Sequence, residues 1–186
     1  MGLGSVNISN KTVEFIKSIL PSGSTILEFG SGAGTVTLSK YYTMYSVENQ
    51  PEWMDKYPLS TTYINCKTKR YEIPTVGIES ENLELNTAFT PPNVVGPQTA
   101  WYDPADLLPN LPKKYDLILV DGPGGHFGRG GFLKYLDKFN TNIPLLFDDI
   151  NRPADLDLMT QVSNQLDRPY MIPENNPALG YIAYEN

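Results

Sequence analysis

Apolar residues along the chain follow two patterns that alternate with each other. Short continuous runs such as Thr25 to Phe29 and Tyr115 to Val120 are typical of buried strands. Val13, Ile16 and Leu20 instead recur at helical spacing before a proline and a glycine end the pattern. Strands that alternate with helices predict a parallel sheet with helices on both faces. The predicted helices are 10–20, 35–42, 51–57, 129–139 and 153–166, and the predicted strands are 25–29, 43–47, 61–66, 115–120, 143–147, 170–172 and 180–184.

One stretch of the chain, 67–99, breaks this alternation. It has little periodicity and contains four prolines, at positions 74, 91, 92 and 97. We predict an irregular insertion with one extra strand near 75–78, and we expect it to shape a binding pocket, because long irregular segments usually serve function. The 186 residues suffice for one domain, so we expect a single domain over 1–186.

Composition and charge exclude several classes of protein. The net charge of −7 disfavours nucleic acid and anionic membranes as partners, since both need a basic surface. The single cysteine, Cys66, excludes a disulfide framework within the chain and a thiolate zinc cluster. No apolar run approaches the roughly 20 residues that span a bilayer, and the first ten residues do not resemble a signal peptide. We therefore expect a soluble cytoplasmic protein.

A glycine-rich loop with flanking acidic residues predicts a cofactor site. The loop contains Gly30, Ser31, Gly32 and Gly34 and follows the first strand, which carries Glu28. Glycines allow a tight turn and a close approach of a ligand to the backbone. At the end of the second strand stand Glu48 and Asn49, and a carboxylate at this place can accept hydrogen bonds from both ribose hydroxyls.

The details of this loop discriminate between two cofactors. The dinucleotide fingerprint G-x-G-x-x-G would require glycine at position 35, where the chain has Thr35. Glu28 would also repel a pyrophosphate, whereas it suits a cofactor with positive charge and an amino group, as in S-adenosylmethionine. An NAD-dependent oxidoreductase stays open as an alternative.

Three aspartates follow two later strands of the predicted sheet. Asp121 ends one strand, and Asp148 and Asp149 end the next. Adjacent strands would deliver these carboxylates to one cleft, where they repel each other unless a hard divalent cation is bound. As alternatives, Asp148 or Asp149 caps the following helix, or Asp121 fixes its own loop.

Together these segments resemble the class I S-adenosylmethionine-dependent methyltransferases. The glycine loop with Glu28 and Glu48 is similar to the first two motifs of that family. Four further segments look like a subgroup with V-D-G-P and D-D-x-N-R-P signatures: Trp101–Asp103, Asp116–Pro123, Gly128-Arg129 and Asp148–Pro153. The resemblance implies a three-layer, doubly wound, Rossmann-like methyltransferase sandwich of α/β class, with a mostly parallel sheet and an antiparallel last strand.

The resemblance also implies roles for the cofactor residues. The loop backbone and Glu28 would hold the methionine part of S-adenosylmethionine, and Glu48 would hold the ribose. The acidic residue that often follows the third strand is replaced here by Asn65-Cys66-Lys67. Trp101 could stack on the adenine instead, and an equally weighted alternative places this tryptophan in the core.

The similarity to metal-dependent O-methyltransferases concerns Asp121, Asp148 and Asp149. In that subgroup such residues hold Mg²⁺, which lowers the pKa of an acceptor hydroxyl. We therefore expect methyl transfer to an oxygen of a small molecule or glycan, with Mg²⁺ or another divalent cation as the second cofactor. Methylation of nitrogen or carbon is less favoured, because the D/N-P-P-Y tetrapeptide is absent after the fourth strand. A non-catalytic interaction module is the other alternative.

Three further residues lie near the predicted aspartate cluster. Asp121 and His126 are the predicted catalytic residues, with His126 as a general base or, alternatively, an ordinary loop residue. Arg129 and Arg152 are expected to form structural ion pairs with Asp148 or Asp155, although either could bind an acidic group of the acceptor. A homodimer is expected only from the general frequency of such assemblies.

Overall fold

The computed structural model describes residues 8–56, 61–70, 100–124 and 128–184. Helices and strands alternate along these residues, as the hydrophobic pattern predicts. The helices are α1 (Asn10–Ile19), α2 (Ala33–Leu38), α3 (Pro51–Lys56), α4 (Pro104–Leu107), α5 (Gly131–Lys134) and α6 (Pro153–Leu166). The strands are β1 (Thr25–Phe29), β2 (Thr43–Glu48), β3 (Thr62–Asn65), β4 (Thr68–Arg70), β5 (Ala100–Tyr102), β6 (Leu117–Val120), β7 (Leu145–Phe147), β8 (Tyr170–Met171) and β9 (Gly180–Ile182).

Seven of these strands form one sheet in the order β3-β2-β1-β6-β7-β9-β8. The pairs from β3 to β7 are parallel, whereas β9 is antiparallel to both of its neighbours. This confirms the predicted α/β fold class, a Rossmann-like sandwich with a mostly parallel sheet whose last strand is antiparallel. The carboxyl ends of β2, β1, β6 and β7 therefore lie side by side at one edge of the sheet, where the predicted site residues stand.

Two buried apolar clusters cover the two faces of the sheet. One contains Leu27, Phe29 and Val120 with the helix residues Phe132 and Met159. The other contains Ile26, Leu117 and Leu119 with residues of α1 and α2. Consecutive residues of β1 and β6 thus point to opposite faces, and both faces are apolar. That is why these strands read as continuous apolar runs and not as alternating ones.

Helix α1 is tied to the sheet by local and long-range contacts. Ser9 caps the helix by accepting a hydrogen bond from the Thr12 amide, which satisfies one of the free donors of the first turn. Val13 and Ile16 are buried against the sheet. The helix ends at Ile19, where Leu20 adopts an extended conformation ahead of Pro21.

Two predicted helices differ from the observed ones. The prediction of one helix over 129–139 is wrong: α5 is a single turn, followed by a short 3₁₀ segment at Leu136–Lys138. Gly130 and Gly131 favour the helix weakly, and Tyr135 leaves helical geometry at φ −110° and ψ 21°. The helix predicted at 35–42 begins two residues earlier and ends at Leu38, since 39–42 form the turn into β2.

One observed strand pair was not expected from the sequence, and one predicted strand lies outside the described residues. The antiparallel pair β4–β5 was not predicted, because each of its strands has only three residues. The strand predicted near 75–78, and nearly all of the predicted insertion, lie outside the described residues. None of the helices in the described ranges is long and apolar enough to cross a bilayer.

Candidate functional site

The loops that follow β1 and β6 are in direct backbone contact. Gly30 has φ +90°, a conformation that glycine adopts without strain, and its amide donates to the Val47 carbonyl at 2.9 Å. A Cβ atom at Gly30 would lie 2.9 Å from the backbone of Gly122. The two glycines therefore let neighbouring strand ends close together, which positions the predicted cofactor loop beside the aspartates.

Gly34, the third glycine of the predicted cofactor loop, has a packing role in the structure. A Cβ atom there would lie 2.6 Å from the Ile8 side chain, so the missing side chain makes room for the segment that precedes α1. Gly34 thus serves helix packing, and its role at a cofactor stays a prediction. Gly32 stands at the start of α2, where its amide donates to the Thr35 hydroxyl at 3.0 Å. Ser31 is the loop residue that contacts a neighbouring strand end, through the Glu48 side chain.

Glu28 is fully buried at the end of β1. Its Oε2 accepts hydrogen bonds from the Thr35 hydroxyl at 2.8 Å and the Ser46 hydroxyl at 2.5 Å. Its Oε1 has no hydrogen-bond partner among the described residues. Burial raises the pKa of this carboxyl to about 7, although the two hydroxyls oppose the shift. An unpartnered buried oxygen costs free energy, and a bound donor or cation would remove that cost.

Glu48 lies at the neighbouring strand end and is surrounded by donors. Its side chain accepts hydrogen bonds from the Ser31 amide and hydroxyl and from the amides of Asn49 and Gln50. Asn49, predicted at the cofactor site, therefore contributes its backbone amide to Glu48. The charge of Glu48 also raises the pKa of Glu28, which means that the two carboxylates share one region of the site.

The three predicted aspartates meet at the ends of β6 and β7. One carboxylate oxygen from each of Asp121, Asp148 and Asp149 lies within 4.8 Å of the others. Asp149 has φ 64°, in the left-handed region that a short polar side chain tolerates. The strand order therefore brings together the residues that the sequence assigned to one cleft, and they form a set of oxygen ligands suited to a hard divalent cation.

Arg129 compensates part of this negative charge. Its side chain is 3% exposed. It donates to the Asp148 carbonyl at 2.8 Å, to the Asp121 carbonyl, and to Asp149 Oδ2 at 3.0 Å. It also forms an ion pair with Asp155 Oδ1 at 3.5 Å. These contacts agree with the predicted structural role of Arg129. They reach all four aspartates, at positions 121, 148, 149 and 155.

Arg152 is the second cation of the cluster. It pairs with Asp149 Oδ2 and, through its Nε, with Asp155 Oδ2 at 2.9 Å. Two arginines thus face four aspartates within this group.

The two arginines compensate only part of the negative charge of the aspartates. Burial and the neighbouring aspartates raise the pKa of Asp121 well above its usual range, although Arg129 opposes the shift. The pKa of Asp148 is raised to about 6 by burial and by Asp149. A cation in this cleft would stabilise the ionised forms of both carboxyls.

Trp101 lies in the core and not at an open cofactor surface. Its side chain is fully buried, with its ring 5.1 Å from the rings of Phe29 and Tyr102. A Cβ atom at Gly131 would lie 2.0 Å from the Trp101 side chain, so the indole packs directly on α5. Of the two interpretations, the core placement is the observed one, and the indole offers no open face for an adenine ring.

Of two further residues singled out in the sequence, the structure describes Cys66 but not His126. His126 lies outside the described residues, so its predicted role as a base stays a prediction. Cys66, in the segment that departs from the family pattern, is fully buried, and burial raises the pKa of its thiol to about 12. This thiol is therefore protonated at neutral pH and serves packing.

Sequence reasoning missed the hydroxyls that hold Glu28 and the full extent of the Arg129 contacts. Thr35 and Ser46 lie 7 and 18 residues from Glu28, in different elements. No local pattern marks such pairs. The one signal in the sequence was Thr35 itself, a polar residue where the dinucleotide fingerprint has glycine.

Comparisons with known proteins return solved structures of low sequence identity. No model of a protein family and no curated protein matches the chain. The crystal structure of the SAH-bound methyltransferase PaMTH1 from Podospora anserina superposes with a TM-score of 0.49 and 16% identity, over 96% of this chain and 80% of that one. A fibrillarin/Nop5p complex superposes with a TM-score of 0.43 and 13% identity, over 90% of this chain and 75% of that one.

Proposed function

We propose that this protein is an S-adenosylmethionine-dependent methyltransferase that acts on an oxygen of a small molecule or glycan, with the help of a divalent cation. One observation carries the proposal. Glu48, Glu28 and Asp121 stand at the carboxyl ends of three adjacent parallel strands, β2, β1 and β6, which is where ligands bind in open α/β sheets. The loops that follow β1 and β6 touch through Gly30 and Gly122, so the three carboxylates lie at one edge of the sheet.

The charge of this cleft favours a cationic cofactor over NAD. Glu48 lies at the glycine loop, and Glu28 beside it adds a second negative charge when it is ionised, so a pyrophosphate placed there would be repelled. At position 35, Thr35 uses its hydroxyl to bind Glu28 and the Gly32 amide. This hydroxyl occupies space that the third glycine of a dinucleotide fingerprint leaves open. Both features support S-adenosylmethionine, whose sulfonium is positive.

The residues of the aspartate cluster fit a divalent cation. Asp121, Asp148, Asp149 and Asp155 bring four negative charges when ionised, and Arg129 and Arg152 bring two positive charges. The remaining charge of −2 equals what one divalent cation would neutralise. Asp121, Asp148 and Asp149 would hold the ion. When bound, it would lower the pKa of an acceptor hydroxyl.

This chain's own residues would provide position and charge. Arg129 would keep the strand ends at fixed separation, since it contacts the backbone of both Asp121 and Asp148. Precise placement matters in methyl transfer because the nucleophile, the methyl carbon and the sulfur must lie in line. His126 stays the predicted proton acceptor. A cytoplasmic location, a homodimer and the absence of nucleic-acid and membrane partners are also predictions.

Calorimetry on the purified protein tests the proposal. S-adenosylmethionine should bind more tightly than NAD, and Mg²⁺ should bind to the wild type. Asp121→Asn should weaken Mg²⁺ binding, whereas Asp157→Asn, an exposed carboxylate of α6, should leave it unchanged. Tighter binding of NAD would overturn the cofactor assignment. If neither S-adenosylmethionine nor NAD binds, the interaction-module alternative takes its place.

A further inference from the structure

The hydrogen-bonding capacity of Glu48 is fully used by donors of the protein itself. Oε2 accepts from the Ser31 amide at 3.1 Å and from the Ser31 hydroxyl at 2.7 Å. Oε1 accepts from the Asn49 amide at 2.8 Å and the Gln50 amide at 2.9 Å. An ionised carboxylate has about four acceptor positions. A ligand hydroxyl can therefore bind Glu48 only if one of these donors leaves.

The four donors differ in how easily they can leave. Three are backbone amides, and two of these, from Asn49 and Gln50, belong to the short turn between β2 and α3. The third belongs to Ser31, directly after Gly30, whose own amide is bonded to Val47 and whose Cα packs on Gly122. Moving any amide would shift the loop. The Ser31 hydroxyl needs only a rotation about χ1, so it is the displaceable donor.

We infer that Ser31 determines how much binding affinity the ribose hydroxyls of the cofactor contribute. Its hydroxyl occupies the position at Glu48 that a ribose hydroxyl must take. The inference rests on the proposed function, in which Glu48 binds the ribose. Binding then exchanges one hydroxyl for another at the same carboxylate oxygen. The bond gained from the ligand is offset by the bond lost from Ser31, so the ribose hydroxyls contribute little net affinity.

Replacement of Ser31 by alanine removes the competitor and leaves Glu48 intact. The ligand hydroxyl then fills a vacant acceptor position on a buried charged group, and such a bond contributes roughly a factor of ten or more in affinity. Ser31→Ala should accordingly bind S-adenosylhomocysteine about tenfold more tightly than the wild type. It should bind the 2′,3′-dideoxy analogue of S-adenosylhomocysteine with unchanged affinity.

The experiment is a calorimetric comparison of these two ligands on the wild type, Ser31→Ala and Ser39→Ala. Ser39 is the matched control, because its hydroxyl donates to the Val36 carbonyl at 2.9 Å and does not contact Glu48. The wild type and Ser39→Ala should distinguish the two ligands by less than about threefold, and Ser31→Ala by roughly tenfold. Ser31→Gly serves as a second variant if the alanine variant does not fold.

The outcomes separate the inference from the proposal on which it rests. If S-adenosylhomocysteine binds the wild type, but loss of the Ser31 hydroxyl weakens binding or leaves both affinities unchanged, the exchange is disproved and the cofactor assignment stands. Strong preference of the wild type for the ligand with both hydroxyls would also disprove it, with no variant needed. If S-adenosylhomocysteine does not bind the wild type at all, the proposed function fails, and the inference fails with it.

Discussion

At the scale of single residues, the site depends on two carboxylates in different environments. Glu28 is buried with one oxygen that has no partner among the described residues, whereas Glu48 is covered by donors on both oxygens. Burial raises the pKa of the Glu28 carboxyl, whereas each oxygen of Glu48 accepts two hydrogen bonds from the protein. This difference could not be anticipated from the sequence, in which both residues simply end a strand.

The raised pKa of Glu28 predicts a pH-dependent stability. Between pH 4.5 and about 7, the folded protein holds a proton that the unfolded chain has released. The free energy of unfolding of the wild type should thus fall by roughly 3 kcal/mol as pH rises through this window. In Glu28→Gln this fall should be absent. Urea denaturation at a series of pH values measures it, with the exposed Glu52→Gln as control. Parallel curves for wild type and Glu28→Gln would contradict the prediction.

Two glycines with nearly the same backbone angle predict different mutational costs. Gly23 has φ +88°, and a Cβ atom added there would meet no atom within 4 Å. Gly30 has φ +90°, and a Cβ atom added there would lie 2.9 Å from the Gly122 backbone. Gly23→Ala should cost about 1 to 2 kcal/mol from the left-handed conformation alone. Gly30→Ala should cost clearly more, because backbone must also move. Thermal and urea unfolding of both variants test this, and equal losses would show that the close contact is unimportant.

At the scale of elements, Arg129 joins the ends of β6 and β7 to the start of α6. It does so through backbone carbonyls of Asp121 and Asp148 and the carboxylate of Asp155. The helix α6 follows its predicted bounds, 153–166, because Pro153 begins it and an apolar stripe faces the sheet. The position of that helix relative to the aspartates is set by the arginine, which lies 24 residues before it in sequence (153 minus 129).

Loss of Arg129 should be far more costly than loss of Arg152. Arg129→Met leaves buried aspartates without their main counter-charge, which should lower the free energy of unfolding by about 3 to 5 kcal/mol. The side chain of Arg152 is 36% exposed, so Arg152→Met should cost about 1 kcal/mol or less. Urea denaturation of the two variants provides the comparison. Similar losses would mean that the cluster does not depend on the buried guanidinium.

At the scale of the whole molecule, the beginning and the end of the described chain are joined by a buried hydrogen bond. The Asn176 amide group donates to the Thr12 hydroxyl at 2.8 Å, linking α1 to the turn before β9. Thr12 is 0% exposed and Asn176 is 5% exposed. A buried polar group that loses its partner is costly, so the bond helps to fix α1 on its face of the sheet.

Asn176→Ala should destabilise the protein by about 1 to 3 kcal/mol, because Thr12 would keep a buried hydroxyl without this donor. Asn142→Ala, at an exposed position, should change stability by less than about 0.5 kcal/mol. In a double-mutant cycle with Thr12→Val, the second substitution should cost less once the first is present. Strictly additive losses would argue against a direct coupling of the two side chains.

The sequence by itself determined the elements and the edge of the sheet that carries the site. Continuous apolar runs located β1, β2, β6 and β7, and acidic residues after those runs had to meet because carboxyl ends of parallel strands share one edge. The grouping of Asp121 with Asp148 and Asp149 follows from the same argument. These features depend on periodicity along the chain, which sequence records directly.

Only the tertiary structure decided how each side chain is used. Trp101 became a core residue because it packs on Gly131, 30 positions later, and Gly34 became a packing glycine because Ile8 fills its space. Ser31 meets Glu48, and Thr35 meets Glu28, only after β1 and β2 pair and the glycine loop closes on them. Such contacts join residues from separate elements, and the spacing of residues along a chain holds no record of them.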